Sequence, residues 1–385
     1  MRNTALSAGR TLLVSGPASF RLIEGEATVL GAPFEKDEKL LVREEKQIPV
    51  EAVTDSVIET SLGNSASLAE IDGTTIPSSW KSFAEAALEI PCPRVLAIGD
   101  VDSGKSTLCT YLANILLNDY PNVSVIDADV GQSDIGPPTT IGLGATDGYL
   151  LSLGDLDPVS MFFVGHTSPA PATDKVILGI KRLMDLCSMH HGPVIINTDG
   201  WIADDEACAF KARMINEISP DLVVVIQSDY EADHILEAIR TTAIKVQSPT
   251  VIRKRTRDER RRVRELSYRK HLTGAVTRHI NFDRVKLKGV DVRNGRLLAA
   301  AQKLHSIVGF LNDEDLLLGI GILKEVEQRE GVLRIYTPVK KLANSIEFGA
   351  VKLNEDGKEI PSLVELSQER MASCRTPGLS PVFIY

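Results

Sequence analysis

"AIGDVDSGKSTLCTYLANIL", residues 97–116, decides the architecture of this chain. Gly99 and Gly104 bracket four residues. Lys105, Ser106 and Thr107 then lead into a run in which Leu108, Leu112, Ile115 and Leu116 share one helical face. An apolar stretch, 95–98, precedes the glycines, so the pattern GxxxxGK[ST] stands between a strand and a helix, the setting a phosphate loop requires. Glycines let backbone N–H groups curl round phosphate oxygens, and the helix N-terminus adds partial positive charge. This reading gives Gly99, Asp100, Val101, Asp102, Ser103, Gly104, Lys105, Ser106 and Thr107 to a nucleotide, with Lys105 on the β- and γ-phosphates and Ser106 or Thr107 on Mg2+. The loop itself is expected at the surface.

Working outward, "VIDADVGQSDIG" sets Asp127 and Asp129 at the carboxyl end of the next strand, the side on which open parallel sheets bind ligands. One carboxylate can face metal and acceptor while the other packs or caps a turn. "FFVGHTSP" ends a third strand and "VIINTDGWI" a fourth, which brings His166–Pro169 and Asn197–Trp201 to the same edge. Trp201 suits stacking on a base, with plain packing as the alternative. In "RTRDERRRVRELSYRKHLTG", Thr256 and Glu259 form a capping box that starts a helix at Arg257, and Gly274 offers a stop. Arg257, Arg260, Arg261 and Arg264 share a face of that helix, a candidate phosphate-binding lid, with a solvated charged helix as the alternative.

The short apolar runs 95–98, 123–126, 162–164, 194–196, 222–226 and 244–246 read as buried parallel strands separated by helices. Residues before about 75 and after 285 alternate apolar and polar residues between Gly, Pro and acidic turns, as β domains do. The expected fold is α/β. A central P-loop NTPase domain (76–285, carrying the Arg-rich lid) has a mostly parallel, doubly wound sheet and is flanked by small β domains at 1–75 and 286–385.

Bulk properties narrow the function. A chain of 385 residues with 43% hydrophobic and 25% charged residues has room for two or three domains. Five scattered cysteines give neither a disulfide framework nor a zinc spacing, and no run is apolar enough for a signal peptide or membrane span. The expectation is a soluble cytoplasmic protein, nuclear if the source is eukaryotic, with no membrane partner. Net charge is −9, yet residues 253–271 carry +7, so any polyanion must be held locally.

The order GDVDSGKST, DADVGQ, GHTSP, NTDGW and an Arg-rich lid resembles the polynucleotide 5′-hydroxyl kinase family, archaeal-type relatives of the kinase subunit of eukaryotic mRNA cleavage and tRNA splicing complexes. The likeness extends over nearly the whole chain, including "TIPSSW" and "GIGILKEV" in the flanking segments. It implies transfer of the ATP γ-phosphate, with Mg2+, to the 5′-OH end of RNA or DNA, in company with RNA-processing proteins. Residue by residue it implies that Lys105 is catalytic, that Asp129 orients the acceptor and meets the metal with Ser106, and that Gln132 assists. Thr167, Ser168 and Pro169 would clasp the substrate, Trp201 would stack on its terminal base, and Arg255, Arg260 and Arg264 would be lid arginines. Asp127 stands where relatives often carry Glu, so its role does not transfer. A P-loop ATPase or GTPase switch, and an ATP-bound scaffold, are the alternative readings.

Overall fold

The computed structural model describes residues 2–44, 46–187, 192–239, 241–293, 296–341 and 343–361. What the sequence reading places at 362–385, Cys374 included, lies outside the described residues.

The central sheet has seven strands: β1 (Arg94–Gly99), β2 (Val123–Ala128), β3 (Thr140–Thr146), β4 (Pro158–Phe163), β5 (Val194–Thr198), β6 (Leu222–Gln227) and β7 (Ala243–Gln247). Their order is β4-β3-β2-β5-β1-β6-β7. From β2 to β7 the neighbours are parallel, whereas β3 pairs antiparallel with both β2 and β4. Phe162 and Phe163 are buried, as the sequence suggested, but they end an edge strand paired antiparallel, not parallel, because β3 intervenes, and Val164 lies just beyond it. The sequence hid β3 behind glycines that packing demands: a Cβ on Gly142 would lie 2.9 Å from the Ile135 Cβ, and one on Gly144 2.8 Å from the Leu156 Cβ. Two reversals bring the end of β4 back to the edge where β2 ends.

Six helices accompany the sheet: α1 (Ser78–Leu88), α2 (Lys105–Leu116), α3 (Thr173–Cys187), α4 (Asp205–Ile218), α5 (Asp233–Ala238) and α6 (Arg257–His271). Strand alternation sends Val95, Ala97, Val125 and Val224 into a core with α1 and α2, while Leu96, Ile98, Ile126 and Val225 join the core under α3 and α4. Helices on both faces explain why these strands read as unbroken apolar runs.

The N-terminal segment forms two antiparallel sheets, of four and five strands, between Arg2 and Asp72. Their cores are continuous with α1 and α2: Phe20, Val50, Trp80, Leu112 and Val224 belong to one apolar cluster. Consequently α2 is buried nearly all round, not on one face. Asn114 in its middle donates to the Leu30 and Leu150 carbonyls at 3.0 and 2.9 Å and accepts the Leu150 N–H at 2.8 Å. Both side-chain groups are paired, as a fully buried amide requires.

The C-terminal sheet has six strands and takes its edge strand from Val276–Asn281, which pairs antiparallel with Val332–Thr337. The end of α6 packs on this domain, with Tyr268 and Leu272 buried beside Ile307 and Leu353. Among the described residues no helix is long and apolar enough to cross a membrane.

Candidate active site

The loop between β1 and α2 is shaped by two residues in the left-handed region, Asp102 at φ +54° and Gly104 at φ +102°. Gly99 has no room for a side chain, since a Cβ there would lie 2.6 Å from the Ile226 carbonyl oxygen. Lys105 is not a surface residue: it is 6% exposed, and its Nζ donates to the Gly99 and Asp100 carbonyls at 3.0 and 2.6 Å. Burial lowers its pKa, and the nearby Asp129 carboxylate works against that shift. A cavity of about 420 Å³ opens beside the loop, bounded by Lys105, Ser106, Asp129, Gln132 and Arg255, with Lys46 from the N-terminal domain.

The two aspartates that end β2 have separated into different roles. Asp127 is fully buried; its Oδ2 accepts from the Asp134 N–H at 2.6 Å and its Oδ1 from Asn197 Nδ2 at 2.9 Å. Burial, then the charges of Asp134 and Asp129, push it up to about 7. Asp127 therefore ties the 129–135 turn to β5, and through Asn197, whose Nδ2 also lies 3.3 Å from Ser106 Oγ, it reaches the phosphate loop. Asp129 uses only Oδ1 to hold its turn, accepting from the Gly131 and Gln132 N–H groups at 3.0 and 2.9 Å. Burial raises its pKa while Lys105 opposes the rise. Among the described residues no hydrogen bond falls on Asp129 Oδ2, which keeps acceptor capacity, and Asp129 lines the cavity.

Helix α6 begins as its capping box requires: the Thr256 side chain accepts from the Glu259 N–H at 3.2 Å and the Thr256 N–H donates back to Glu259 at 2.7 Å. Around this start, Arg255 and Arg260 converge on the phosphate loop. The Arg255 N–H donates to Asp102 Oδ2 at 2.9 Å, and Arg260 Nη1 lies 3.3 Å from the same oxygen and 2.6 Å from the Arg255 carbonyl. Gln132 Nε2 adds a contact to the Arg260 carbonyl at 3.3 Å. Arg264 is placed differently: its guanidinium forks onto Glu359 of the C-terminal domain at 2.5 and 2.8 Å.

At the ends of β4 and β5 lie the other residues singled out in the sequence. The Thr167 carbonyl oxygen packs on Gly131, where a Cβ would sit 2.8 Å away, while Pro169 is buried and Ser168 exposed. Trp201 is half-buried, its ring 5.8 Å from that of Phe210 at an interplanar angle of 29°, and its Nε1 donates to Asp204 at 2.8 Å. Behind it is a group that the sequence did not reveal. Lys211, with a side chain 0% exposed, donates to Asp199 Oδ2 at 2.8 Å, and Asp199 Oδ1 accepts the Trp201 N–H at 2.9 Å. A lysine inside the buried run of an amphipathic helix was the one available signal.

A Gly-bounded loop, a buried lysine at a helix start and a carboxylate at the end of a neighbouring strand are the arrangement that P-loop proteins share. Residues 99–274 match the family model of the mRNA cleavage and polyadenylation factor CLP1 P-loop. The chain is 29% identical to the polyribonucleotide 5′-hydroxyl-kinase of Pyrococcus furiosus over 74% of its own length and 95% of that protein, and 27% identical to that of Methanocaldococcus jannaschii over 69% and 89%. A shorter stretch, 36% of this chain, is 31% identical to 20% of the human polynucleotide 5′-hydroxyl-kinase NOL9. The fold superimposes on Clp1p in the solved Clp1p–Pcf11p complex with a TM-score of 0.70 at 13% identity, covering 91% of this chain and 97% of that one.

Proposed function

We propose that this chain is an ATP-dependent polynucleotide 5′-hydroxyl kinase acting on RNA ends, with DNA ends as a second acceptor class. One observation carries the reading: Lys105 and Ser106, the Asp129–Gln132 turn and Arg255 all line a single cavity beside a helix N-terminus, with Arg260 held next to it on Asp102 and the Arg255 carbonyl. The relatives named as 5′-hydroxyl-kinases support it across most of the chain.

Phosphoryl transfer has a loose transition state, so the enzyme's work is to align donor and acceptor and to neutralise charge on the transferring group. Lys105 supplies one positive charge from a dry position, where it counts for more than in water. Arg255 and Arg260, held on Asp102 of the same loop, supply two more. The new bond joins the acceptor 5′-oxygen to the γ-phosphorus, and the bond from phosphorus to the ADP oxygen breaks. The acceptor proton passes to Asp129 Oδ2, whose raised pKa suits it to take a proton late in the step. Ser106 Oγ, aimed by Asn197, is a hard oxygen donor that would hold Mg2+ alongside phosphate oxygens, and the Asp129 carboxylate would lend its charge to the same ion until it takes the proton. When bound, Mg2+ offsets charge on the β- and γ-phosphate oxygens. Trp201 offers the face not covered by Phe210 to the terminal base.

The test is transfer of labelled γ-phosphate from ATP to oligonucleotides with 5′-OH or 5′-phosphate ends, RNA and DNA side by side. Incorporation confined to 5′-OH ends is expected. Hydrolysis of ATP with no incorporation would favour the switch reading. Asp129→Asn should lower turnover far more than ATP affinity, because its carboxylate acts on the acceptor.

A further inference from the structure

We infer that Asp102, inside the phosphate loop, is a positioning residue for the lid: it assembles Arg255 and Arg260 into one unit before nucleotide arrives. The inference rests on the kinase reading above.

Four observations converge on this carboxylate. Asp102 adopts φ +54°, a region that costs most non-glycine residues free energy and that Asp tolerates better than others. Its side chain is only 13% exposed, a site where an unpaired carboxylate would be costly. Its Oδ2 takes both the Arg255 N–H at 2.9 Å and Arg260 Nη1 at 3.3 Å, while its Oδ1 lies 3.8 Å from Arg255 Nη1. Arg255 precedes the helix cap in a stretch with no regular structure, so helix hydrogen bonds do not fix it, and the Asp102 carboxylate and the Arg260 guanidinium do so instead.

A local fit of the loop would be met by any residue that accepts the turn. Here the carboxylate reaches across 153 positions of sequence to a backbone N–H and two guanidiniums, the groups whose placement the transfer step needs. Asp102 offsets one of the two positive charges and so eases the repulsion between the arginines while leaving the pair net positive for a phosphate. As phosphate oxygens enter, they take up the same guanidinium protons, so the pair turns onto the phosphoryl group from a fixed distance and does not have to be collected from solvent.

The test uses Asp102→Asn, which keeps an acceptor oxygen but no charge, and Asp102→Gly, which removes the side chain and relieves the backbone at positive φ. Single-turnover transfer at saturating ATP should fall about 10- to 100-fold in both, the cost of misplacing groups by an ångström or so. The KM for ATP should stay within about threefold, since ground-state binding is not what is lost. Amide hydrogen exchange over residues 253–260 should rise in both variants, and adding Arg260→Ala to Asp102→Gly should cost little more than Arg260→Ala alone. Normal turnover with unchanged exchange would overturn the inference. So would faster transfer by Asp102→Gly, which would make Asp102 a competitor of the phosphates, and so would losses that multiply with Arg260→Ala. If the wild-type protein transfers no phosphate, the kinase reading fails, and the exchange measurement still decides whether Asp102 holds the lid.

Discussion

The start of α6 and its second half carry the same side chain to different destinations. Arg260, with Arg255 just before the helix, meets Asp102 in the phosphate loop. Arg261 and Arg264 meet Glu359, and Arg269 donates to the Asp356 carbonyl, all in the C-terminal domain. Arg260 and Arg264 lie one helical turn apart, and that is enough to divide the stripe between two neighbours. The lesson is that a row of arginines on one face is a statement about charge, while the partner each one finds is a statement about tertiary structure. On the proposed kinase reading, the arginines at the helix start act on a phosphate, and those from Arg261 onward that meet the C-terminal domain anchor the helix that carries them.

The sharpest control on this division is Lys105→Ala, which should remove transfer by about 10³-fold or more with either half of the helix intact. Wild-type-like turnover in the purified variant would take the phosphate loop out of the chemistry. Next, Arg260→Ala should cost about 10²-fold in single-turnover transfer with ATP binding nearly unchanged, and Arg260→Lys should rescue poorly because a point charge cannot replace the planar fork. Arg264→Ala should behave in the opposite way. Unfolding measured by urea should report a loss of about 1.5 to 3 kcal/mol, the range for charged hydrogen bonds, with turnover changed only a few-fold. A large turnover loss at normal stability would move Arg264 to the catalytic half. Smallest of all, Trp201→Ala should weaken oligonucleotide binding by about 1 kcal/mol, the low end of base stacking, because Phe210 already covers one face. A collapse in Tm with unaltered RNA binding would make the ring a packing residue.

Legibility followed the range of the interactions. The phosphate loop, the capping box at Thr256 and the places of six of the seven central strands could be read because their signals lie within a few residues of one another. Strand β3 could not, since Gly142 and Gly144 answer to Ile135 and Leu156 rather than to β propensity. The two aspartates after β2 were legible as a pair but not as individuals. Only the surroundings, donors converging on Asp127 and a cavity beside Asp129, tell them apart. Asp102 with Arg255, Arg264 with Glu359 and Lys211 with Asp199 are carboxylate–cation pairings that no local pattern announces.

The burial of α2 under the N-terminal sheets has a consequence for how the protein comes apart. Phe20, Val50 and Ile58 share one apolar cluster with Leu112, Val125 and Val224, and Asn114 is hydrogen-bonded across the same boundary. The first β segment is thus not an appendage that can be trimmed away. A chain begun at residue 76 would leave the outer face of the phosphate-loop helix bare, with its buried amide short of one acceptor. Heat or denaturant should melt these two parts in one cooperative step, and the nucleotide site should lose its order at the same midpoint as the N-terminal sheets.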